Sequence, residues 1–186
     1  MKVLAVSGSL RSESYNTKLL RAAERLLPAG VELELWDGLK AVPPYDEDDD
    51  VEPAPAAVAA LRAAIAGADA LFFATPEYNS SVPGQLKNAL DWVSRPLTKN
   101  PLRGKPVAVI GASAGAFGAV WAQAELRKIL AAIGAQVVEG ELAVGHAPTR
   151  FEDDHLVDTE LRDQLAEVVR ALVSETAPAA ASRVAA

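Results

Sequence analysis

The sequence predicts an α/β fold, a three-layer sandwich in which helices cover both faces of a five-stranded parallel sheet. Three observations carry this prediction. Short apolar runs alternate strictly with amphipathic helical patterns, five of each. The runs are largely apolar on both sides, as strands buried on two faces must be. Two-residue hairpin signals are absent, so consecutive strands are expected to be joined by right-handed crossovers rather than tight turns. Five strands connected in this way are expected in the order 2-1-3-4-5. The ligand crevice then lies beyond their carboxyl ends, where the order reverses between the first and third strands.

The elements follow in order. Residues 2–7 (KVLAVS) form an apolar run of buried-strand length. From Asn16, Leu19, Leu20, Ala23, Leu26 and Leu27 recur at helical spacing, and Pro28 with Gly30 marks the stop. Residues 31–36 (VELELW) alternate apolar and acidic, which predicts a half-exposed strand near a sheet edge. A prolyl and acidic loop over 37–55 leads into a helix carrying Val58, Leu61 and Ile65 that ends at Gly67. Residues 68–75 (ADALFFAT) are the third strand, and 85–94 a helix with Leu86, Ala89, Leu90 and Val93 on one side. The fourth strand is 105–111, followed by a long amphipathic helix over 115–133. Residues 136–144 hold the fifth strand, interrupted at Gly140, and 156–174 close the chain as a helix.

The 186 residues suit a single domain, placed at 1–175. The Ala-rich end, TAPAAASRVAA (176–186), has little to bury and is expected to be frayed or disordered. The net charge of −7 argues against non-specific binding to nucleic acid or to an anionic membrane surface. The absence of cysteine excludes disulfides, thiolate metal ligands and thiol nucleophiles. No apolar run approaches the roughly 18 residues of a membrane span, and the N-terminus reads as a core strand rather than a signal peptide. The expected location is the cytoplasm.

Three loops would meet at the crevice: 8–16, 76–84 and 111–118. The first precedes a helix, so backbone amides and the positive end of the helix dipole converge there. Ser9, Ser12, Ser14 and Asn16 add short polar groups, and Arg11 adds a fixed charge suited to a phosphate. Serines in this position also cap helices. The run lacks GxxxxGK[ST] and has one glycine where GxGxxG needs three. In the second loop, Pro76 and Pro83 stiffen the chain and Tyr78 can lie along a planar ligand. In the third, GASAGAFG lets the backbone approach a ligand closely. His146 and His155 lack matching ligands, and the acidic run 46–50 lacks the spacing and glycine of a calcium loop, so no metal site is expected.

GSLRSESYN (8–16), PEYN (76–79) and GQLKNALDWVSRP (84–96) resemble the NADPH-dependent FMN reductase family of flavodoxin-like proteins, over about residues 2–175. Its members include bacterial quinone, chromate and azo-dye reductases. The resemblance implies a flavodoxin-like fold and FMN as cofactor, with Ser9, Arg11, Ser14, Tyr15 and Asn16 holding its phosphate. It places Pro76, Glu77, Tyr78 and Asn79 along the isoalloxazine ring, largely through backbone groups. Ser113, Ala114 and Gly115 would complete the ring and ribityl site. NADPH or NADH would be the co-substrate, a small electron acceptor the second substrate, and a homodimer or homotetramer the assembly. No catalytic side chain is expected, since the cofactor carries the chemistry. The acidic loop from Tyr45 to Glu52 falls where the family often has one near the flavin. Arg95 is a candidate for the nucleotide's phosphates or a neighbouring subunit. Two other readings share the fold: a flavodoxin that carries electrons between proteins, and a flavin-free binding protein.

Overall fold

The structure is a computed structural model, and it describes the backbone of residues 1–184 and the side chains of residues 1–176. Its main sheet is parallel, in the order β2 (Glu32–Trp36), β1 (Lys2–Ser7), β3 (Ala70–Thr75), β4 (Pro106–Ala112), β5 (Gln136–Val137). The predicted order 2-1-3-4-5 holds, and the fold is flavodoxin-like. The helices are α1 (Tyr15–Glu24), α2 (Ala56–Gly67), α3 (Gly84–Val93), α4 (Val120–Ile133) and α5 (Thr159–Val184).

The central strands read as continuous apolar runs because both of their faces are covered. Leu4, Val6, Leu71, Phe73, Val107 and Val109 pack with Val58 and Leu61 of α2, Leu86 and Leu90 of α3, and Leu126 and Leu130 of α4. The alternate residues Val3, Ala5, Phe72, Ala108 and Ile110 pack with Leu19 and Leu20 of α1 and Leu165, Val169 and Leu172 of α5. Each Val, Leu, Ile or Phe among them contributes about 1.5–3 kcal/mol when fully buried. β2 has one neighbour and keeps Glu32 and Glu34 exposed, as its alternating sequence predicts for an edge.

The register positions the site. Ser7 pairs with Ala74, Ala74 with Ile110, and Thr75 with Gly111. β1, β3 and β4 therefore finish level, and the loops that leave them start side by side.

The structure differs from the sequence reading chiefly in its C-terminal half. The fifth strand is two short pieces, β5 and β6 (Ala143–Val144), both paired with β4. Between Val107↔Val137 and Gly111↔Ala143, β4 advances four residues and its partner six. The Arg127 guanidinium fills the resulting gap, donating to Val138 O and Val109 O at 3.0 Å and to Gly140 O. Burial lowers the pKa of this guanidinium, with Glu141 opposing the shift. Its N–H groups stand in for the ladder donors that these carbonyls lack.

The helix expected from residue 115 begins at Val120, because Gly118 (φ 59°) and Ala119 (φ 64°) are left-handed. A Cβ on Gly118 would lie 2.3 Å from Ala143 C, so the loop can only pass β6 at a glycine. The final helix begins at Thr159 rather than 156, where the Asp158 carboxylate accepts from Leu161 N at 3.1 Å and pairs with Arg150 at 2.5 Å. The residues before it form a hairpin, β7 (Phe151–Glu152) and β8 (His155–Leu156), turning through Asp153 at φ 52°. Asp-Asp carries no glycine, so the turn left no usual hairpin signal. Most of the tail 176–186, expected to be frayed, lies outside the residues whose side chains are described. Among the described residues, no helix is long and apolar enough to cross a membrane.

Candidate functional site

The loop after β1 folds into a cup through its own hydroxyls. Ser7 Oγ accepts from Ser9 N at 3.3 Å and Ser9 Oγ from Arg11 N at 3.4 Å. Ser14 is the N-cap of α1, its Oγ accepting from Asn16 N at 3.2 Å and Thr17 N at 3.4 Å. Among the described residues, the N–H groups of Leu10, Ser12, Glu13 and Ser14 have no acceptor within the chain. They sit at the positive end of α1, where an anion is favoured. Arg11 is exposed and makes no ion pair among the described residues.

Asn16 does something the sequence could not show. It is 3% exposed, donates through Nδ2 to Ala112 O at 3.0 Å and accepts through Oδ1 from Ala112 N at 2.9 Å. The amide clamps the start of α1 to the end of β4. Tyr15 lays its ring against Phe151 of β7, with centroids 5.9 Å apart and planes 29° from parallel.

The loop after β3 carries a tight hairpin turn. Tyr78 N and Ser81 N each donate to the other residue's carbonyl at 3.1 Å, across Asn79 (φ 54°) and Ser80 (φ 59°). Positive φ at both central residues is the backbone that asparagine tolerates well. The Glu77 carboxylate turns towards α4 and accepts from Trp121 N at 3.0 Å and Ala122 N at 3.1 Å. Since Ala119 has no side chain able to cap α4, Glu77 does so from another loop. Glu125 of α4 reaches the other way and accepts from Ser81 Oγ at 2.5 Å. The loop after β4 is held from beneath: Ser113 Oγ accepts from Gly115 N at 3.1 Å, and the Gly115 carbonyl accepts from His146 N at 2.9 Å.

The three loops enclose one cleft of about 220 Å³. Ser9, Arg11, Ser14, Tyr15 and Asn16 line it from the first loop, and Pro76, Glu77 and Tyr78 from the second. Ser113 and Ala114 line it from the third, joined by Ala112, which the sequence reading did not single out. Asn79 and Gly115 fall outside this lining. Asn79 is at the exposed tip of its turn, and Gly115 is folded away towards His146. Arg95 is exposed and lies outside this lining; the nearby Tyr45, with Glu47 and Asp50, raises its pKa.

The residues fit a phosphorylated planar ligand. Arg11 and the cup's amides suit a phosphate. Pro76 and the half-exposed Tyr78 offer flat apolar surface. The N–H groups of Glu77 and Ala114, which have no acceptor among the described residues, suit a ring's carbonyl and nitrogen edge.

The sequence profile of the NADPH-dependent FMN reductases matches residues 1–149. An NAD(P)H-dependent FMN reductase of Pseudomonas aeruginosa is 44% identical, the match covering 92% of this chain and 93% of that protein. A 2-hydroxy-1,4-benzoquinone reductase of a Burkholderia species is 38% identical, over 89% of this chain and 90% of that one. Among solved structures, the flavoenzyme NAD(P)H:(acceptor) oxidoreductase FerB of Paracoccus denitrificans superposes with a TM-score of 0.82 at 34% identity, covering 94% of this chain and 96% of its own. With the profile spanning most of the chain and these relatives matching nearly all of it, this protein belongs to the NADPH-dependent FMN reductase family.

Proposed function

We propose that the cleft holds FMN and that the protein is an NAD(P)H-dependent oxidoreductase acting on quinones or flavins. The observation that carries this reading is the meeting of both sequence motifs in one cleft, with unpartnered amides at each end. Ser9, Ser14 and the amides of Leu10, Ser12, Glu13 and Ser14 bind the phosphate, and Arg11 neutralises it. Pro76 and Tyr78 flank the ring while Glu77 N and Ala114 N orient its polar edge. Tyr15 walls the cup, and Asn16, Asn79 and Gly115 hold the three loops in place. Bound there, FMN would supply two-electron redox chemistry between NADPH or NADH and the acceptor. No side chain of the cleft acts as nucleophile or general acid.

Purified protein given FMN is expected to turn yellow, then to oxidise NADPH when a quinone is added, with no second protein present. Protein that elutes colourless from gel filtration after incubation with excess FMN would end the reading. A need for a separate reductase would make the protein an electron carrier.

The proposal extends to assembly, location and extent. Phe117 (65% exposed) and Trp121 (50% exposed) meet edge-on at 5.0 Å beside Val120, an apolar face bordering the cleft. A second copy covering this face gives a homodimer or, through further contacts, a homotetramer. Light scattering is expected to report at least twice the 19.5 kDa of one chain; a monomer at micromolar concentration would refute it. The protein is assigned to the cytoplasm, with 1–175 as its single functional domain.

A further inference from the structure

We infer that a cavity remote from the flavin cleft is a second binding site, for a small apolar molecule that carries a carboxylate. Its volume is about 640 Å³, within the range of clefts that hold small ligands. It lies in the angle between the C-terminal end of α1, β8 and the first turns of α5. It shares no lining residue with the flavin cleft. The phosphate cup is at the other end of α1, about 15 Å away along a helix of 10 residues.

The floor is apolar and the rim cationic. Ala22 and Leu156 are buried and Leu26 is half-buried, while Val157 is left 45% exposed beside them. Arg25, His155 and Arg162, all exposed, stand around this floor. Among the described residues, no carboxylate lines the cavity.

Both guanidinium charges are uncompensated. Arg162 makes no ion pair or side-chain hydrogen bond among the described residues. Arg25 donates from Nη1 to the backbone carbonyl of Asp154 at 2.5 Å, a neutral partner that fixes the guanidinium without cancelling its charge. An arginine has five N–H donors, so others stay free for a ligand. The neighbouring carboxylates are engaged elsewhere: Asp154 with Arg21 at 2.7 Å, and Asp158 with Arg150 at 2.5 Å. In a chain of net charge −7 the cavity is a local reversal of sign.

The two surfaces together select the ligand class. A planar guanidinium matches the two oxygens of a carboxylate, and the floor favours an alkyl or ring body withdrawn from water. A bare phosphate would leave the floor wet, and a neutral hydrocarbon would leave the arginines unused. The sequence hid this site because Arg25 and Arg162 belong to elements at opposite ends of the chain.

NMR titration of isotope-labelled protein, pre-incubated with FMN, tests this with octanoate, which has no ring to stack on a flavin. Saturable shifts are expected at the amides of Leu26, Leu156, Val157 and Arg162, with a dissociation constant of about 1 mM or tighter. Octanol, equal in length, is expected to bind about tenfold more weakly, as is octanoate to Arg162→Ala. Arg162→Glu and Val157→Asp, both at exposed positions, are expected to abolish binding, with thermal melting confirming that each variant is folded. Absence of shifts at several millimolar, equal affinity for octanol and octanoate, or affinity that survives both of these substitutions overturns the proposal. So does release of FMN by octanoate, which would put the carboxylate in the phosphate cup. Colourless protein that still binds octanoate at these amides would sink the flavin reading and leave this one standing.

Discussion

Replacing Arg11 with alanine is expected to weaken FMN binding by about 10- to 100-fold and to leave the flavin-free protein as stable as before. Hydrogen bonds to charged groups contribute about 1.5–3 kcal/mol, which spans that range of affinity. The stability of the flavin-free protein should not move because Arg11 is exposed and supports no other side chain among the described residues. Arg11→Lys keeps the charge without the planar fork and is expected to fall between the two. Fluorescence titration of FMN measures the affinity and thermal melting the stability. An alanine variant that binds FMN as tightly as the parent would remove the phosphate from the cup.

The second large effect is expected from Gly118→Ala. The new Cβ would lie 2.3 Å from Ala143 C and 2.6 Å from Val144 N, both backbone atoms that cannot step aside alone. Left-handed backbone adds about 1–2 kcal/mol for a residue with a side chain, and overpacking about 1–3 kcal/mol. Together they predict a loss of roughly 2–5 kcal/mol, or a melting temperature lower by about 10 °C. β6 and the loop that carries Ser113 and Ala114 must separate, so FMN affinity falls as well. Gly115→Ala is the control, since its Cβ would meet only Ser113 Oγ at 3.5 Å, an ordinary contact. Equal melting temperatures for Gly118→Ala and the parent would show that the loop yields without cost.

The strands and most of the cleft were legible because their signals are local. Two-sided burial writes itself into β1, β3 and β4 as unbroken apolar runs, and both motifs sit at the carboxyl ends of strands. What escaped depends on distant partners. Asn16 reads as one more polar group at a phosphate, yet its amide is consumed by Ala112, 96 residues away. Glu77 lies within PEYN, but its carboxylate serves a helix 44 residues on. The start of α4 was misplaced because Phe117, Val120, Trp121 and Ala124 keep helical spacing through a segment whose backbone at Gly118 is not helical. The split of the last strand showed only as a glycine, with no sign that Arg127 would fill the break.

That filled break bears on how the protein keeps apart from its own copies in a crowded solution. An uninterrupted strand along this margin would present a row of donors and acceptors inviting another chain to add itself and propagate. Two-residue segments, a guanidinium capping the carbonyls between them and exposed Glu139 and Glu141 offer no such template. The opposite margin is guarded by the outward carboxylates Glu32 and Glu34. Specific association is thereby directed to the faces formed by helices and loops, and runaway polymerisation through the sheet is suppressed.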